Sequence, residues 1–233
     1  DNEFNSGSAY IFKRNGSTWT QQQKLNASDA GNNDRLGISV SLYEDYALIG
    51  AYFDDDPSNS GSVYIFKRNS STWTQQQKLI ASDAAGSDFF GYSVSIYKDY
   101  ALIGAYGDDP NNSGAAYIFK KNGSIWTQQQ KLTASDGSEV DNFGDAVSLF
   151  KNNALIGAYN NSYGTAYIFN ITEDTLLLEN KPDDGTTIAS FVSGQKMGIG
   201  TNNPDYKLHI EDYEPQLALK STNDSHQEAS CRS

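Results

Sequence analysis

Apolar positions fall in short runs, and the pattern within them is that of strands. Ser39-Val40-Ser41-Leu42 alternates small polar with apolar residues, the mark of a strand with one buried face. Residues 47–52, ALIGAY, are more uniformly apolar, which predicts an inner strand covered on both faces. Glu44-Asp45 separates the two runs and predicts a tight hairpin, as do Lys98-Asp99 and Lys151-Asn152 further on. A second hairpin is predicted from the runs at residues 9–12 and 19–25 around Asn15-Gly16, with Asn69-Ser70 and Asn122-Gly123 as equivalent turns. No stretch combines helical periodicity with capping signals.

These runs repeat. GSAYIFKRNGSTWTQQQKL from Gly7 returns as GSVYIFKRNSSTWTQQQKL from Gly61 and GAAYIFKKNGSIWTQQQKL from Gly114; a fourth copy starts as GTAYIFN at Gly164 and decays. Between them lies a second block, LGISVSLYEDYALIGAY from Leu36, FGYSVSIYKDYALIGAY from Phe90 and FGDAVSLFKNNALIGAY from Phe143. A tandem unit of about 50 residues with four short strands predicts an all-β chain of propeller-type antiparallel blades, because one twisted sheet hides both faces only by stacking against others. The expected organisation is a partial blade at residues 1–35, blades at 36–89 and 90–142, and a degenerate blade at 143–180. A linker at 181–196, a stalk-like β segment at 197–220 and a mobile tail at 221–233 follow. About three and a half blades do not close a propeller. A missing N-terminal region, a second chain or an open stack of blades is therefore expected, with other copies of the chain or further blades as partners.

Gly50, Gly104 and Gly157 are expected in an innermost-type strand where blades crowd together. Trp19, Trp73 and Trp126 recur at one position, either as packing residues between blades or as ligand-stacking faces.

Leu36-Gly37, Phe90-Gly91 and Phe143-Gly144, each followed by a Gly-Ala pair (Gly50-Ala51, Gly104-Ala105, Gly157-Ala158), resemble FG-GAP repeats. Such repeats build the propellers of integrin α-chain heads and of many secreted bacterial and protist proteins, and this chain is more similar to the bacterial type. The resemblance implies an extracellular propeller used for adhesion, recognition or assembly. Integrin-type repeats bind Ca²⁺ through a DxDxDG-like loop, which here has shrunk to Glu44-Asp45 and its equivalents, too short for the six to eight oxygens calcium takes. Asp54, Asp55 and Asp56, with Asp108 and Asp109 in the next repeat, are the remaining calcium candidates, since adjacent carboxylates repel unless a cation balances them. The alternative is that these residues, like Asp29, Asp34, Asp83, Asp88, Asp136 and Asp141 around the Phe-Gly turns, cap loops by accepting backbone N–H bonds.

Residues 197–222 differ from the repeats. Gly198-Ile199-Gly200-Thr201, Pro204 and Lys207-Leu208-His209-Ile210 resemble a short motif of phage tail-fibre stalks, which implies an oligomeric β-stalk. His209 alternates with apolar neighbours and reads as an exposed strand residue.

Composition narrows the function classes. The 233 residues carry 17 basic and 29 acidic side chains, a net charge of −12, which disfavours a nucleic-acid partner. No apolar run is long enough for a membrane-spanning helix. One cysteine, Cys231, and two histidines, His209 and His226, leave little for metal or acid–base chemistry. No nucleophile, zinc or phosphate-loop motif is present, and the carboxylate pairs recur in every repeat, whereas catalytic residues break a repeat's symmetry. A non-enzymatic, extracellular structural or adhesive protein that forms or decorates a surface fibre is therefore expected, with surface glycans or proteins as further partners. The alternative is a lectin-like propeller binding carbohydrate through Tyr52, Tyr106 and Tyr159. Eight N-x-S/T sequons occur, and three of them, at Asn15, Asn69 and Asn122, recur at one hairpin tip as candidate glycosylation sites, or as ordinary turn residues.

Overall fold

Each repeat folds as one antiparallel sheet in which chain order is also spatial order. The computed structural model describes residues 4–54, 59–108, 113–160 and 164–171, and the backbone of three short strands further on. The first sheet is a hairpin of β1 (Ala9–Asn15) and β2 (Thr18–Leu25). The second holds β3 (Val40–Tyr43), β4 (Tyr46–Ala51), β5 (Ser62–Asn69) and β6 (Thr72–Leu79). The third repeats this with β7 (Ser93–Tyr97), β8 (Tyr100–Ala105), β9 (Ala115–Asn122) and β10 (Ile125–Leu132). The fourth holds β11 (Phe143–Phe150), β12 (Asn153–Ala158) and β13 (Thr165–Asn170). The described residues are all-β, and no sheet closes on itself.

The predicted hairpins form. Tyr43 pairs with Tyr46 and Tyr97 with Tyr100 across two-residue turns, whose first residues, Glu44 and Lys98, take φ of 50° and 54°. Asn15 likewise pairs with Thr18 around a left-handed Gly16. Asn15, Asn69 and Asn122 are all exposed at these tips.

Packing follows the alternation of side chains along each strand. In the second sheet, Ala47, Ile49, Tyr64, Phe66 and Trp73 face back to the first sheet and meet Ala9, Leu25 and Leu36. Leu48, Val63, Ile65 and Leu79 face forward and share a core with Val94, Ile96, Tyr117, Phe119 and Trp126 of the third sheet. Leu102, Ile118 and Leu132 then meet Phe143, Leu149 and Ile156 of the fourth. Burial on both faces explains why β4 and β8 read as continuously apolar.

Adjacent sheets approach closest at their first two strands, and the last strands splay apart. The close-approach glycines lie one strand further out than expected, on the second strand of each sheet. A Cβ on Gly50 would sit 1.9 Å from the Gly91 carbonyl oxygen, and one on Gly104 equally close to that of Gly144. Trp73 and Trp126 are buried between sheets, as a packing role requires, whereas Trp19 is 64% exposed.

The chain divides into two units, Asp1–Ile171 and Thr172–Ser233. In the second, β14 (Ser190–Val192) pairs antiparallel with β15 (Lys196–Ile199), which pairs in parallel with β16 (Leu208–Ile210). His209 lies in β16; Pro204, the run at 174–180 and the tail lie outside the described residues.

Candidate functional site

Two constellations recur along the stack, one of Asp, Tyr and Lys and one of aromatic rings. The first is built at the seam between consecutive sheets. Asp54 follows β4, Tyr64 lies on β5 and Lys78 on β6, while Asp29 comes from the loop after β2 of the preceding repeat. Strand pairing sets Tyr64 opposite Lys78. The Tyr64 hydroxyl donates to Asp54 Oδ2 at 2.5 Å, and Lys78 Nζ donates to Asp54 Oδ1 at 3.0 Å and Asp29 Oδ2 at 2.9 Å. The next repeat reproduces this: Lys131 Nζ reaches Asp83 and Asp108, each at 2.9 Å, and the Tyr117 hydroxyl donates to both carboxylates. In the following repeat Tyr167 donates to Asp136 at 2.7 Å.

The electrostatics follow from this geometry. Burial opposes ionisation of Asp83, but the hydrogen bonds from Lys131 and Tyr117 outweigh it and hold the carboxyl below its usual range. Asp29 is lowered in the same way by Lys78 and Tyr64. Burial, then the hydrogen bonds donated to Asp108 and Asp83, push the Tyr117 phenol far up, so it stays a proton donor. Lys131 loses hydration, yet its two carboxylate partners raise it further. The calcium candidates Asp54 and Asp108 are therefore each paired with a lysine ammonium group and hydrogen-bonded by a tyrosine hydroxyl. Asp55, Asp56 and Asp109 lie outside the described residues. Among the described residues no group of three or more His, Cys, Asp or Glu side chains is arranged to hold a metal ion.

Asp34, Asp88 and Asp141 are buried at the Phe-Gly turns, where their carboxylates accept the backbone N–H of Gly31, Ala85 and Ser138. Burial, with repulsion from Asp108, raises the Asp88 carboxyl to about 6 despite the hydrogen bond from Ala85.

The second constellation lies where β4, β8 and β12 end. Tyr52 meets Tyr92 edge-on at 5.4 Å, Tyr92 meets Tyr106 at 4.6 Å, and Phe89 stacks on Tyr106 at 5.0 Å. Arg35 lies over the Tyr52 and Phe53 rings and donates a hydrogen bond to the Tyr52 hydroxyl. Tyr52 and Tyr106 are thus brought into one cluster, Tyr52 largely buried and Tyr106 half-buried, while Tyr159 is 63% exposed. Burial raises the Tyr92 and Tyr106 phenols, and raises Asp145. Tyr92 and Phe89 were not singled out from the sequence. They sit beside the Phe-Gly turn at positions where the repeats differ, so no repeated signal marks them.

A third set, also unmarked in the sequence, ties the outer strands together. Gln23 and Trp73 exchange two hydrogen bonds, side-chain amide to backbone, as do Gln77 and Trp126.

The FG-GAP repeat family model matches residues 19–66, 73–119 and 126–169, more than half of the chain. The chain belongs to the FG-GAP repeat family. Each matched stretch runs from the Trp of one sheet through the Phe-Gly or Leu-Gly turn into the next, so the family's sequence unit spans the seam where the Asp–Tyr–Lys cluster is built. The match does not extend to residues 197–222. No curated protein matches the chain. Among the described residues, no helix is long and apolar enough to cross a membrane.

Proposed function

We propose that this FG-GAP repeat chain is a non-enzymatic scaffold of a cell or particle surface, extracellular, that assembles into or decorates a fibre. One observation carries the reading: the ionisable groups that could do chemistry recur in register and are spent between sheets. Lys78 joins Asp29 of one repeat to Asp54 of the next, and Lys131 does the same for Asp83 and Asp108. Repeats of this family are often found in adhesive surface proteins, and the acidic, cysteine-poor composition agrees with a displayed scaffold. The resemblance of residues 197–222 to fibre stalks supports a stalked particle. Immunogold imaging of native material tests the proposal. Label on surface fibres supports it; label confined to the cell interior overturns it.

A lectin-like reading is favoured by the convergence of Tyr52, Tyr92 and Tyr106 with Phe89, because ring faces stack on sugar C–H surfaces. Glycan-array binding by the chain, lost in Tyr106→Ala, would favour this reading; an array without signal would remove it.

A further inference from the structure

Charge is segregated along the strands. Each sheet runs antiparallel in chain order, so its tight turns lie at one end and its longer loops at the other. The rings of Tyr43, Tyr97 and Phe150, each beside the first turn of its sheet, meet in sequence with centroids 5.3 Å apart at both contacts. The turn ends of the second, third and fourth sheets therefore lie side by side. Six cations stand at this end, Lys67, Arg68, Lys98, Lys120, Lys121 and Lys151, against three carboxylates, Glu44, Asp45 and Asp99. Asp54, Asp83, Asp88, Asp108, Asp136 and Asp141 all belong to loops at the opposite end, where Lys78 and Lys131 are already bound to carboxylates. A strand of 6 residues such as β8 spans ~20 Å, more than twice the ~8 Å over which physiological salt screens charge. An anion at the turn end thus meets the local cations rather than the chain's net charge.

Aromatic rings hold these cations in place. Lys67 of the second sheet and Lys121 of the third converge on the Tyr46 ring, 5.5 and 4.4 Å from its centroid. Lys98 lies 5.8 Å from the Tyr97 ring, Lys120 5.4 Å from Tyr100, and Lys151 5.4 Å from Phe150. The negative ring faces attract the ammonium groups and so set their positions. Asp45 is taken by Arg68 and Asp99 by Lys121, at 2.5 and 2.7 Å. Lys67, Lys98 and Lys151 are exposed, and among the described residues no carboxylate pairs with them. Two ammonium groups at one ring repel each other, and Asp99 alone offsets the pair at Tyr46. An external anion would relieve the remaining excess.

We infer that this end of the sheet stack binds an acidic polysaccharide laid across the sheets, its carboxylate or sulfate groups bridging Lys67 and Lys121 and continuing to Lys98. The inference rests on the scaffold reading for the kind of polymer the chain meets, an acidic glycan of a surface or matrix. The cations recur from sheet to sheet, so a linear polymer with regularly spaced anionic groups complements them better than one small anion does. Its hydroxyl groups suit the phenols of Tyr43, Tyr97 and Tyr100 at the same end. Single-stranded nucleic acid is disfavoured, because it binds by stacking bases on ring faces, and these rings are spent on ammonium groups and on one another. The site is separate from the cluster of Tyr52, Tyr92 and Tyr106, which lies at the loop end.

Biolayer interferometry of the full chain tests this on immobilised alginate and dextran sulfate, with neutral dextran and a single-stranded DNA oligonucleotide as comparison surfaces. The wild type should bind an acidic polysaccharide, more weakly as salt is added, and should ignore neutral dextran. Lys67→Gln combined with Lys121→Gln should weaken binding about tenfold, the loss of two exposed ion pairs. Lys67→Arg with Lys121→Arg should retain it, which separates charge from any effect on folding. Glu139→Gln removes an exposed carboxylate from the loop end and should leave binding unchanged. Absence of binding to both acidic polysaccharides, or full binding by the glutamine variant, overturns the inference. So does tighter binding to the oligonucleotide, which would make the partner a nucleic acid, or a gain in Glu139→Gln as large as the loss in the glutamine variant. None of these results decides the scaffold reading, which rests on the imaging.

Discussion

The side-chain amide of Gln77 reads the backbone of Trp126 in the neighbouring sheet: its Nε2 donates to the Trp126 carbonyl at 2.8 Å, and its Oε1 accepts the Trp126 N–H at 2.9 Å. Gln23 does the same for Trp73, with both contacts at 2.8 Å. The amide thus stands in for a rung of a β-ladder where the outer strands of two sheets have splayed too far apart to pair. It also fixes the backbone that carries the tryptophan, whose ring fills the gap below.

Gln77→Ala should therefore destabilise the protein by about 1–3 kcal/mol, since a part-buried N–H and carbonyl lose their partners. Gln129→Ala should change stability by less than about 0.5 kcal/mol, because its amide bonds only to its own strand, at Thr127 and Gln128. Urea denaturation of the two variants checks the contrast.

Gly104 and Gly157 occupy the same place in successive repeats but differ in surroundings. Gly104→Ala should cost about 3 kcal/mol or more, because the new methyl meets a backbone carbonyl that cannot rotate away. Gly157→Ala should stay within about 1 kcal/mol of wild type, since its methyl makes only ordinary contact with Ala146. Thermal melts of both variants measure this difference.

Lys131 bridges one exposed and one buried carboxylate, with side-chain exposures of 45% for Asp83 and 7% for Asp108. Lys131→Met keeps the aliphatic stem but strands Asp108, and should cost about 2 kcal/mol, below the ~3–5 kcal/mol of a fully buried pair because Asp83 stays hydrated. Adding Asp108→Asn should restore part of the loss. A double-mutant cycle reads the coupling.

Asp88 gives the fold a pH dependence of definite sign. Its folded carboxyl is raised to about 6, above its unfolded value, so its contribution is most favourable in acid and is lost as pH rises through the folded value. Asp88→Asn keeps an acceptor for the Ala85 N–H without the charge. The variant should match wild type near pH ~4, the ordinary carboxylate range, and become the more stable of the two as pH passes about 6. Melting temperatures across that range test the sign.

Strand positions, hairpin turns and the stacked-sheet architecture were legible in the sequence because each rests on a local pattern repeated several times. A packing role for Trp73 and Trp126 was legible for the same reason. Trp19 shows the limit: its flanking sequence, STWTQQQKL, is that of Trp73, yet its exposure depends on which sheet stands behind it. Asp54 and Asp108 read as parts of acidic clusters, and nothing local shows that Lys78 and Lys131, more than twenty residues away, face them across a sheet. The Gln–Trp rungs were hidden because glutamines in TQQQKL look like the solvent side of any strand. The aromatic cluster was half visible, through repeated Tyr52, Tyr106 and Tyr159, and half concealed in the unrepeated Phe89 and Tyr92.

Tyr46 lies in the second sheet and Trp126 in the third, and their rings meet edge-on with centroids 5.9 Å apart. Nuclear Overhauser spectroscopy on selectively labelled protein observes that contact directly. Stacked sheets sharing a core predict cross-peaks between the Tyr46 ring and the Trp126 indole protons. Their absence, with Trp126 freely quenched by acrylamide in the folded protein, would contradict the account.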